Sequence, residues 1–141
     1  MKNLNIMKRI AFLSLALFVF VVGAYAQTET PASNAEITFE KENFNFGDIK
    51  QGDVVKHTFK FTNTGTDALV ISDIKTTCGC TTPKWTREPL PPGETGEIVV
   101  QFNSSGKIGK QHKVITIISN ASEPIKRISI DSNVLTGTAT E

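Results

Sequence analysis

The residues best suited to chemistry are two cysteines separated by one glycine, Cys78-Gly79-Cys80. They are the only cysteines of the chain. A pair this close can form a local disulfide, exchange disulfides with a partner thiol, chelate a soft cation such as Cu(I) or zinc, or bond to a second molecule. The sequence leaves these four alternatives open.

A local disulfide is the simplest alternative in an oxidising compartment. Gly79 would then be a geometric requirement, because so tight a ring is expected to need backbone angles that glycine adopts most easily. The bond would stabilise the folded state only weakly. Closing a three-residue loop contributes about 1.6 kcal/mol to the free energy of unfolding, roughly half the contribution of a long-range disulfide. Strain in the ring should also make the bond easier to reduce, and easily reduced disulfides tend to be functional.

A metal site would need more ligands than the two cysteines provide, since a closed zinc site has four. The chain has two histidines, His57 and His112. His57 shares its alternation with Phe59 and Phe61, which predicts an inward-pointing, hydrogen-bonded core side chain. We therefore predict no metal site and no cofactor.

Other sequence features give no sign of catalysis. The nucleophile elbow, the zinc-protease helix and the phosphate-binding loop are all missing from the sequence, so we predict a protein that is not an enzyme. Trp85 follows the cysteines and lies between Lys84 and Arg87. It either packs against the end of the domain or anchors an interface, where tryptophan is enriched.

The first 26 residues predict export. Lys2, Lys8 and Arg9 precede a 13-residue run, 10–22, in which only Ser14 is polar, and Gly23-Ala24-Tyr25-Ala26 follows. A basic start, an apolar middle and small residues at Ala24 and Ala26 are the layout of a signal peptide cleaved after Ala26. The apolar run would make a helix of roughly 20 Å, too short for a hydrocarbon core of roughly 30 Å. We expect a periplasmic or secreted protein with no stable membrane anchor after cleavage.

Cleavage would change the charge of the chain. The 141 residues include 15 basic and 14 acidic ones, and three of the basic ones lie in the signal peptide. The 115 remaining residues would carry 12 basic against 14 acidic side chains and no basic cluster, so we expect no nucleic-acid partner. This length suits one domain with a modest core.

The mature chain is predicted to be a single all-β domain over 36–134, between a flexible spacer at 27–35 and a tail at 135–141. Polar and apolar residues alternate in 54–62 and 97–102, which is typical of strands with one buried face. Further strands are predicted at 37–39, 44–46, 69–74, 114–118 and 125–130. Seven short strands separated by turn-forming residues indicate an immunoglobulin-like β-sandwich, with a small barrel as the structural alternative.

The motifs in the chain resemble one bacterial family. They are Phe44-x-Phe46-Gly47-x-Ile49-x-x-Gly52, His57-x-Phe59-x-Phe61-x-Asn63-x-Gly65, Leu69-x-Ile71, Cys78-Gly79-Cys80-Thr81-x-Pro83 and Leu90-x-Pro92-Gly93-Glu94-x-Gly96. Over about 37–134 they are similar to the domain of unknown function DUF1573, common in exported proteins. The resemblance implies an immunoglobulin-like sandwich related to the ASH and MSP domains of ciliary and sperm-protein scaffolds, and it implies no reaction.

These observations predict a non-catalytic binding or scaffold module of the cell envelope. Its partner would be another envelope protein or a second copy of the chain. The alternative function is a thiol-redox or metal-binding envelope protein that acts through Cys78-Gly79-Cys80.

Overall fold

The structure is a computed structural model that describes residues 33–136. The predicted signal peptide, with Ala24 and Ala26, and most of the predicted spacer and tail lie outside the described residues. No helix within 33–136 is long and apolar enough to cross a membrane. The strands are β1 (Ile37–Phe39), β2 (Asn43–Lys50), β3 (Val54–Asn63), β4 (Ile71–Thr76), β5 (Thr81–Trp85), β6 (Thr95–Asn103), β7 (Gly109–Ser119) and β8 (Ile125–Leu135).

The strands form two four-stranded sheets arranged as a sandwich. The first sheet has the order β1-β3-β6-β5 and the second the order β2-β8-β7-β4. All neighbours are antiparallel except β2 and β8, which are parallel. The chain leaves the first sheet after Phe39 and enters the second at Asn43, so the successive strands β1 and β2 belong to different sheets.

Alternate residues of the long strands build the core between the sheets. Phe59 and Phe61 of β3 are buried, as are Ile98, Val100 and Phe102 of β6. Burial of one such side chain stabilises the fold by roughly 1.5–3 kcal/mol. The alternation in the sequence predicted these positions, and the structure confirms them.

Residues 33–136 form eight strands where the periodicity predicts seven. The additional strand is β5, whose five residues include Pro83 and Lys84 and show no clear alternation. Pairing with β6 makes this segment a strand. The fourth strand also begins later than predicted, at Ile71, because Leu69 forms an isolated bridge with Leu90 instead.

The folded unit is slightly longer than the predicted 36–134. Ala35, in the predicted spacer, is buried in the core. At the other end β8 continues through Leu135, the first residue of the predicted tail, and pairs there with Lys50 of β2.

Candidate functional site

Cys78-Gly79-Cys80 lies where the chain passes from one sheet to the other. It joins the end of β4, at an edge of the second sheet, to the start of β5, at an edge of the first. Residues 77–81 are termed the disulfide crossover below. At the crossover, the Thr76 hydroxyl donates to the carbonyls of Cys78 (3.0 Å) and Thr81 (3.2 Å), and Thr81 N–H donates to the Cys78 carbonyl (3.2 Å). The neighbouring strands hold it as well: Asn103 N–H donates to the Cys80 carbonyl (2.9 Å), and Thr77 N–H donates to the Val114 carbonyl (3.3 Å). None of these bonds involves sulfur, so the path of the crossover has support that is independent of the disulfide.

Cys78 and Cys80 are joined by a disulfide, with their Cα atoms 5.3 Å apart. Both are half-buried, but Cys80 packs against the hydrophobic core and Cys78 lies outside that cluster. The hydroxyl of Thr81 lies 3.7 Å from Cys78 Sγ and 4.0 Å from Cys80 Sγ. A hydroxyl in this position can donate to a thiolate formed at either sulfur.

Gly79 does not have the backbone angles that the sequence argument assigned to it. Its φ is not positive, unlike that of Gly47 or Gly52. A Cβ atom built on Gly79 would meet no other atom within 4 Å. The prediction that glycine is required here for its backbone freedom is therefore wrong.

Basic residues lie on the strands next to the disulfide crossover. The bond from Thr77 to Val114 extends the register of β4 and β7 by one residue, and Cys78 and Lys113 are the next residues of the two segments. The Lys113 ammonium lies 6.0 Å from the centroid of the Phe102 ring, and Phe102 is the cross-strand partner of Thr81. Lys113 thus extends from the second sheet towards the end of the crossover in the first.

Other basic residues lie on the strands that adjoin the crossover. On β4 and β5 they are Lys75 and Lys84, whereas His112 of β7 is paired with the Asp131 carboxylate at 2.7 Å. The end of β6 beside the crossover, Gln101–Asn103, carries no charged side chain. A basic environment of this kind favours the thiolate form of cysteine.

His57 points inward as predicted, but aromatic contacts rather than hydrogen bonds hold it. Its ring stacks on Phe44, with centroids 3.6 Å apart, and meets Phe59 edge-on at 4.7 Å. Within residues 33–136 its ring makes no hydrogen bond. Burial lowers the pKa of His57, and the charge of Lys41 lowers this pKa further, so the neutral ring is favoured.

The described residues do not assemble a metal site around the cysteines. His57 lies on β3 of the first sheet, whereas His112 lies on β7 of the second, where its Nδ1 is 2.7 Å from Asp131 Oδ1. Within 33–136 no three His, Cys, Asp or Glu side chains are grouped so that they could hold an ion. The metal-binding alternative has no support from this arrangement.

Trp85 is the last residue of β5 and pairs with Ile98 of β6. It packs against the core, and the guanidinium of Arg87 lies 4.8 Å from its ring centroid. Its Nε1 is buried and has no hydrogen-bond acceptor among the described residues. The ring therefore packs against the core at the sheet edge, and its second alternative, an interface anchor, stays a prediction.

A second feature is the incomplete pairing of β3. β1 covers only the last residues of this strand, where Ile37–Phe39 pair with Phe61–Asn63. Glu40 N–H then donates to the Lys60 carbonyl (3.1 Å) before the chain crosses to the second sheet. The first half of β3 is therefore left without a neighbour on this side among the described residues.

The direction of the backbone groups in this half follows from strand alternation. Lys60 bonds towards β1, whereas Asn63 N–H bonds to Glu94 on the β6 side. Backbone groups alternate in an antiparallel strand, so those of Val54, Lys56 and Thr58 face the uncovered side. Residues 54–58 are termed the open edge of β3, and no pattern in the sequence predicts it.

The outer edges of β5, β4 and β2 carry features that oppose further pairing. On β5 the outward-facing residues include Pro83, which has no N–H, and Thr81, whose N–H is bound within the crossover. On β4 the Asp73 carboxylate accepts the N–H of Ile74 at 2.9 Å. On β2 a bulge interrupts the strand, and the side chains of Asn45 and Asp53 accept the N–H groups of Gly47 (2.8 Å) and Lys50 (2.8 Å).

One other stretch lacks a neighbour, because β4 ends before it reaches the start of β7. This stretch begins at Gly109, with φ +70, and carries Lys110, His112 and Lys113. Charged side chains, and lysine above all, discourage strand pairing at sheet edges. The open edge of β3, with Lys56 as its one charged residue, is the better surface for pairing.

Two open clefts of about 470 Å³ each lie away from the cysteines. One has an apolar floor that includes Phe61, Leu69 and Leu90. The other is lined mainly by residues with polar side chains, which include His112 and Asp131. Neither is lined by Cys78, Cys80 or the open edge of β3.

Residues 37–134 match the family model described as protein of unknown function DUF1573. The match covers most of the chain, so this protein belongs to the DUF1573 family, as its motifs predicted. No curated protein matches the chain.

Solved structures confirm the sandwich fold. A protein of unknown function from Porphyromonas gingivalis W83 has a TM-score of 0.64 and 18% identity, over 77% of this chain and 51% of that one. The ASH/PapD-like domain 7 of human CEP192 has a TM-score of 0.59 and 12% identity, over 80% and 93%. The VesB protease of Vibrio cholerae has a TM-score of 0.54 and 16% identity, over 72% and 32%.

The chain thus spans about half of the Porphyromonas protein and about a third of the protease. At these identities the likeness concerns the fold alone. The class that fold and family define is a DUF1573 protein with an immunoglobulin-like, PapD-like β-sandwich.

Proposed function

We propose that this protein is an exported, non-catalytic binding or scaffold module of the cell envelope that pairs with an extended segment of a partner protein along the open edge of β3. Export rests on the signal-peptide layout of residues 1–26. The partner is another envelope protein or a second copy of the chain.

The observation that carries this proposal is the contrast between the edges. Proline, a carboxylate or a bulge interrupts the outer edges of β5, β4 and β2, while the outward backbone groups of Val54, Lys56 and Thr58 have no strand partner among the described residues. Strand addition at such an edge supplies main-chain hydrogen bonds, and side-chain pockets add specificity.

Apolar surface beside the open edge supports the same proposal. Val54 is 50% exposed. Phe44 and Phe46 of β2 and His57 of β3 are half-buried, and they form an aromatic cluster between the two sheets on this side. An incoming strand with apolar side chains could pack against this cluster.

The test uses two substitutions at Lys56. Lys56→Pro removes the outward N–H and leaves the β6 ladder intact, whereas Lys56→Ala removes only the side chain. The full chain and both variants are cross-linked in an envelope extract, and the captured proteins are compared. We expect Lys56→Ala to capture the same proteins as the full chain and Lys56→Pro to lose them. Sedimentation of the purified variants tests self-pairing by the same comparison. If the full chain captures nothing and stays monomeric, or if both variants behave alike, the proposal is wrong.

A further inference from the structure

We propose that Cys78–Cys80 exchanges its disulfide with cysteine thiols of a partner protein, and that the basic residues around the disulfide crossover select thiols flanked by acidic residues. This activity goes beyond strand pairing and uses a different surface, because the crossover and the open edge lie on opposite sides of the first sheet.

The bond is poorly placed to hold the fold together. It links residues two apart, and loops this short gain the least from a disulfide. The backbone of the crossover is already fixed at both ends by Thr76, Asn103 and Val114. The pair can therefore be reduced and reoxidised while the sandwich stays folded.

Cys78 is the sulfur that a partner reaches, because Cys80 packs against the core. A partner thiolate attacks Cys78 Sγ and forms a new S–S bond to it. The Cys78–Cys80 bond breaks, and its electron pair leaves on Cys80 as a thiolate. The Thr81 hydroxyl, 4.0 Å from Cys80 Sγ, is in place to donate a hydrogen bond to this leaving group.

A second thiolate of the partner completes the exchange. It attacks the partner's own sulfur in the mixed disulfide and releases Cys78 as a thiolate. The partner then holds one disulfide and this protein holds the dithiol. Two electrons have passed from the partner to the Cys78–Cys80 pair, and the two protons of the partner's thiols end on Cys78 and Cys80. The exchange is stoichiometric and needs no cofactor.

Lys113 acts here as a positioning residue. Its ammonium lies 6.0 Å from the ring centroid of Phe102, the cross-strand partner of Thr81, and so brings a positive charge towards the end of the crossover. Lys75 of β4 and Lys84 of β5 are further basic residues on the adjoining strands, the His112 ring of β7 is paired with the Asp131 carboxylate, and the adjoining end of β6 adds no charge. Such surroundings stabilise the thiolates formed in both steps, and they attract an acidic partner segment.

The first experiment measures the equilibrium of the full chain with the small thiol glutathione. The chain is equilibrated with reduced and oxidised glutathione mixed over a range of ratios. The exchange is then quenched with acid, free thiols are alkylated, and mass spectrometry gives the fraction of the chain that carries the dithiol. We expect at least about a tenth of the pair as dithiol within the range of a cellular glutathione pool, because labile disulfides are reducible there and structural ones are not. The circular dichroism spectrum should stay native. A pair that remains fully oxidised, or a chain that unfolds on reduction, would overturn the proposal.

The second experiment tests the selection of acidic partners. Two short peptides carry one cysteine flanked by either glutamates or lysines, and rates of mixed-disulfide formation are compared per thiolate, since the flanking charges change the peptide's own thiol pKa. We expect the acidic peptide to react at least about threefold faster at low salt, and the difference to vanish at high salt.

Variants of Lys113 distinguish a local charge from a structural effect. Lys113→Ala should reduce the preference for the acidic peptide. In a Cys80→Ala background, it should also shift the pH profile of Cys78 alkylation to higher pH. Lys113→Arg should restore both the preference and the pH profile. The matched control is Lys60→Ala, which removes an exposed lysine from the other half of β3. Equal rates for the two peptides, or equal effects of Lys113→Ala and Lys60→Ala, would contradict the proposal. Lys56→Pro should leave these rates unchanged, so strand pairing and thiol exchange can fail separately.

Discussion

Asn63 is a buried polar residue whose side chain makes four hydrogen bonds. It lies at the end of the sandwich opposite the disulfide crossover. Its Oδ1 accepts the N–H groups of Gly65 (3.1 Å) and Glu36 (3.4 Å). Its Nδ2 donates to the carbonyls of Asp67 (2.8 Å) and Leu90 (2.9 Å). The side chain therefore joins the start of the domain to two loops. The sequence predicts a turn at Asn63-Thr64-Gly65, but the bridging depends on loops that are distant in sequence.

Asn63→Ala should lower the free energy of unfolding by about 2 kcal/mol or more, because it removes four hydrogen bonds that contribute about 0.5–1.5 kcal/mol each. Urea denaturation measures the change. Asn103→Ala is the control, since Asn103 is exposed and its Oδ1 accepts one bond, from Ser105 N–H; a loss of about 1 kcal/mol or less is expected there. Similar losses for the two variants would show that the Asn63 network contributes little.

Two glycines should differ sharply in their tolerance of alanine. A Cβ on Gly65 would lie 2.1 Å from the backbone oxygen of Asn34, whereas one on Gly79 would meet nothing. Gly65→Ala should therefore destabilise by about 1–3 kcal/mol, as overpacking does, and Gly79→Ala by less than about 0.5 kcal/mol. Thermal unfolding followed by circular dichroism checks both. A large loss at Gly79 would restore the sequence argument that the disulfide ring requires glycine.

At the scale of the elements, Pro83 should protect the outer edge of β5 from pairing. The Cys80 carbonyl accepts a hydrogen bond from Asn103 on the β6 side. Because backbone groups alternate along a strand, those of Thr82 also face β6, and the nitrogen of Pro83 faces outward. Pro83→Val would add an outward N–H and a β-branched side chain to this edge. We expect the variant to stay folded but to self-associate at concentrations where the parent chain does not, as measured by light scattering. Thr82→Val changes the neighbouring residue, whose N–H faces β6, and should not self-associate.

The sequence predicts the elements with strong alternation and misses those set by tertiary pairing. β3 and β6 were predicted because Phe59, Phe61 and Val100 repeat at every second position. β5 could not be predicted in this way, because its strand conformation depends on pairing with β6. The open edge of β3 is likewise invisible in the sequence, since it exists only because the chain changes sheets after Phe39.

For the whole molecule, the sandwich fold was predictable from strand alternation and turn-forming residues, and the family from the resemblance of the motifs to those of DUF1573. The cysteine pair was predictable as a local disulfide, the simplest alternative for two cysteines one residue apart in an oxidising compartment. Its basic surroundings were not, because Lys113 reaches the crossover through the register of β4 and β7. Long-range register therefore determines what this local motif meets, and the sequence shows only the motif.

The stability of the whole molecule should depend on pH through His57. Burial and the charge of Lys41 lower the pKa of this histidine in the folded chain, so protonation favours the unfolded chain. The stabilisation from the neutral ring is complete above the ordinary histidine pKa of about 6.5, and it is lost as the pH falls towards the lower folded pKa.

Asp131 acts in a separate and more acidic range. Hydrogen bonds from Asn43 and His112 lower the pKa of its carboxyl group. Its contribution is therefore present above the ordinary aspartate pKa of about 3.9 and is lost only as the pH falls below that value. The loss of stability between about pH 6.5 and 5 can thus be assigned to His57 without interference from Asp131.

His57→Phe keeps an aromatic ring that can stack on Phe44 and removes the titrating group. We expect urea unfolding at a series of pH values to show a decline in stability between pH 7 and 5 for the parent chain, and a flatter profile for His57→Phe. Lys41→Ala should reduce the decline, because it removes the second cause of the lowered pKa. His112→Gln, on the exposed face of the other sheet, should leave this decline in place. A parent chain whose stability is constant over this range would show that protonation of His57 does not disturb its stacking.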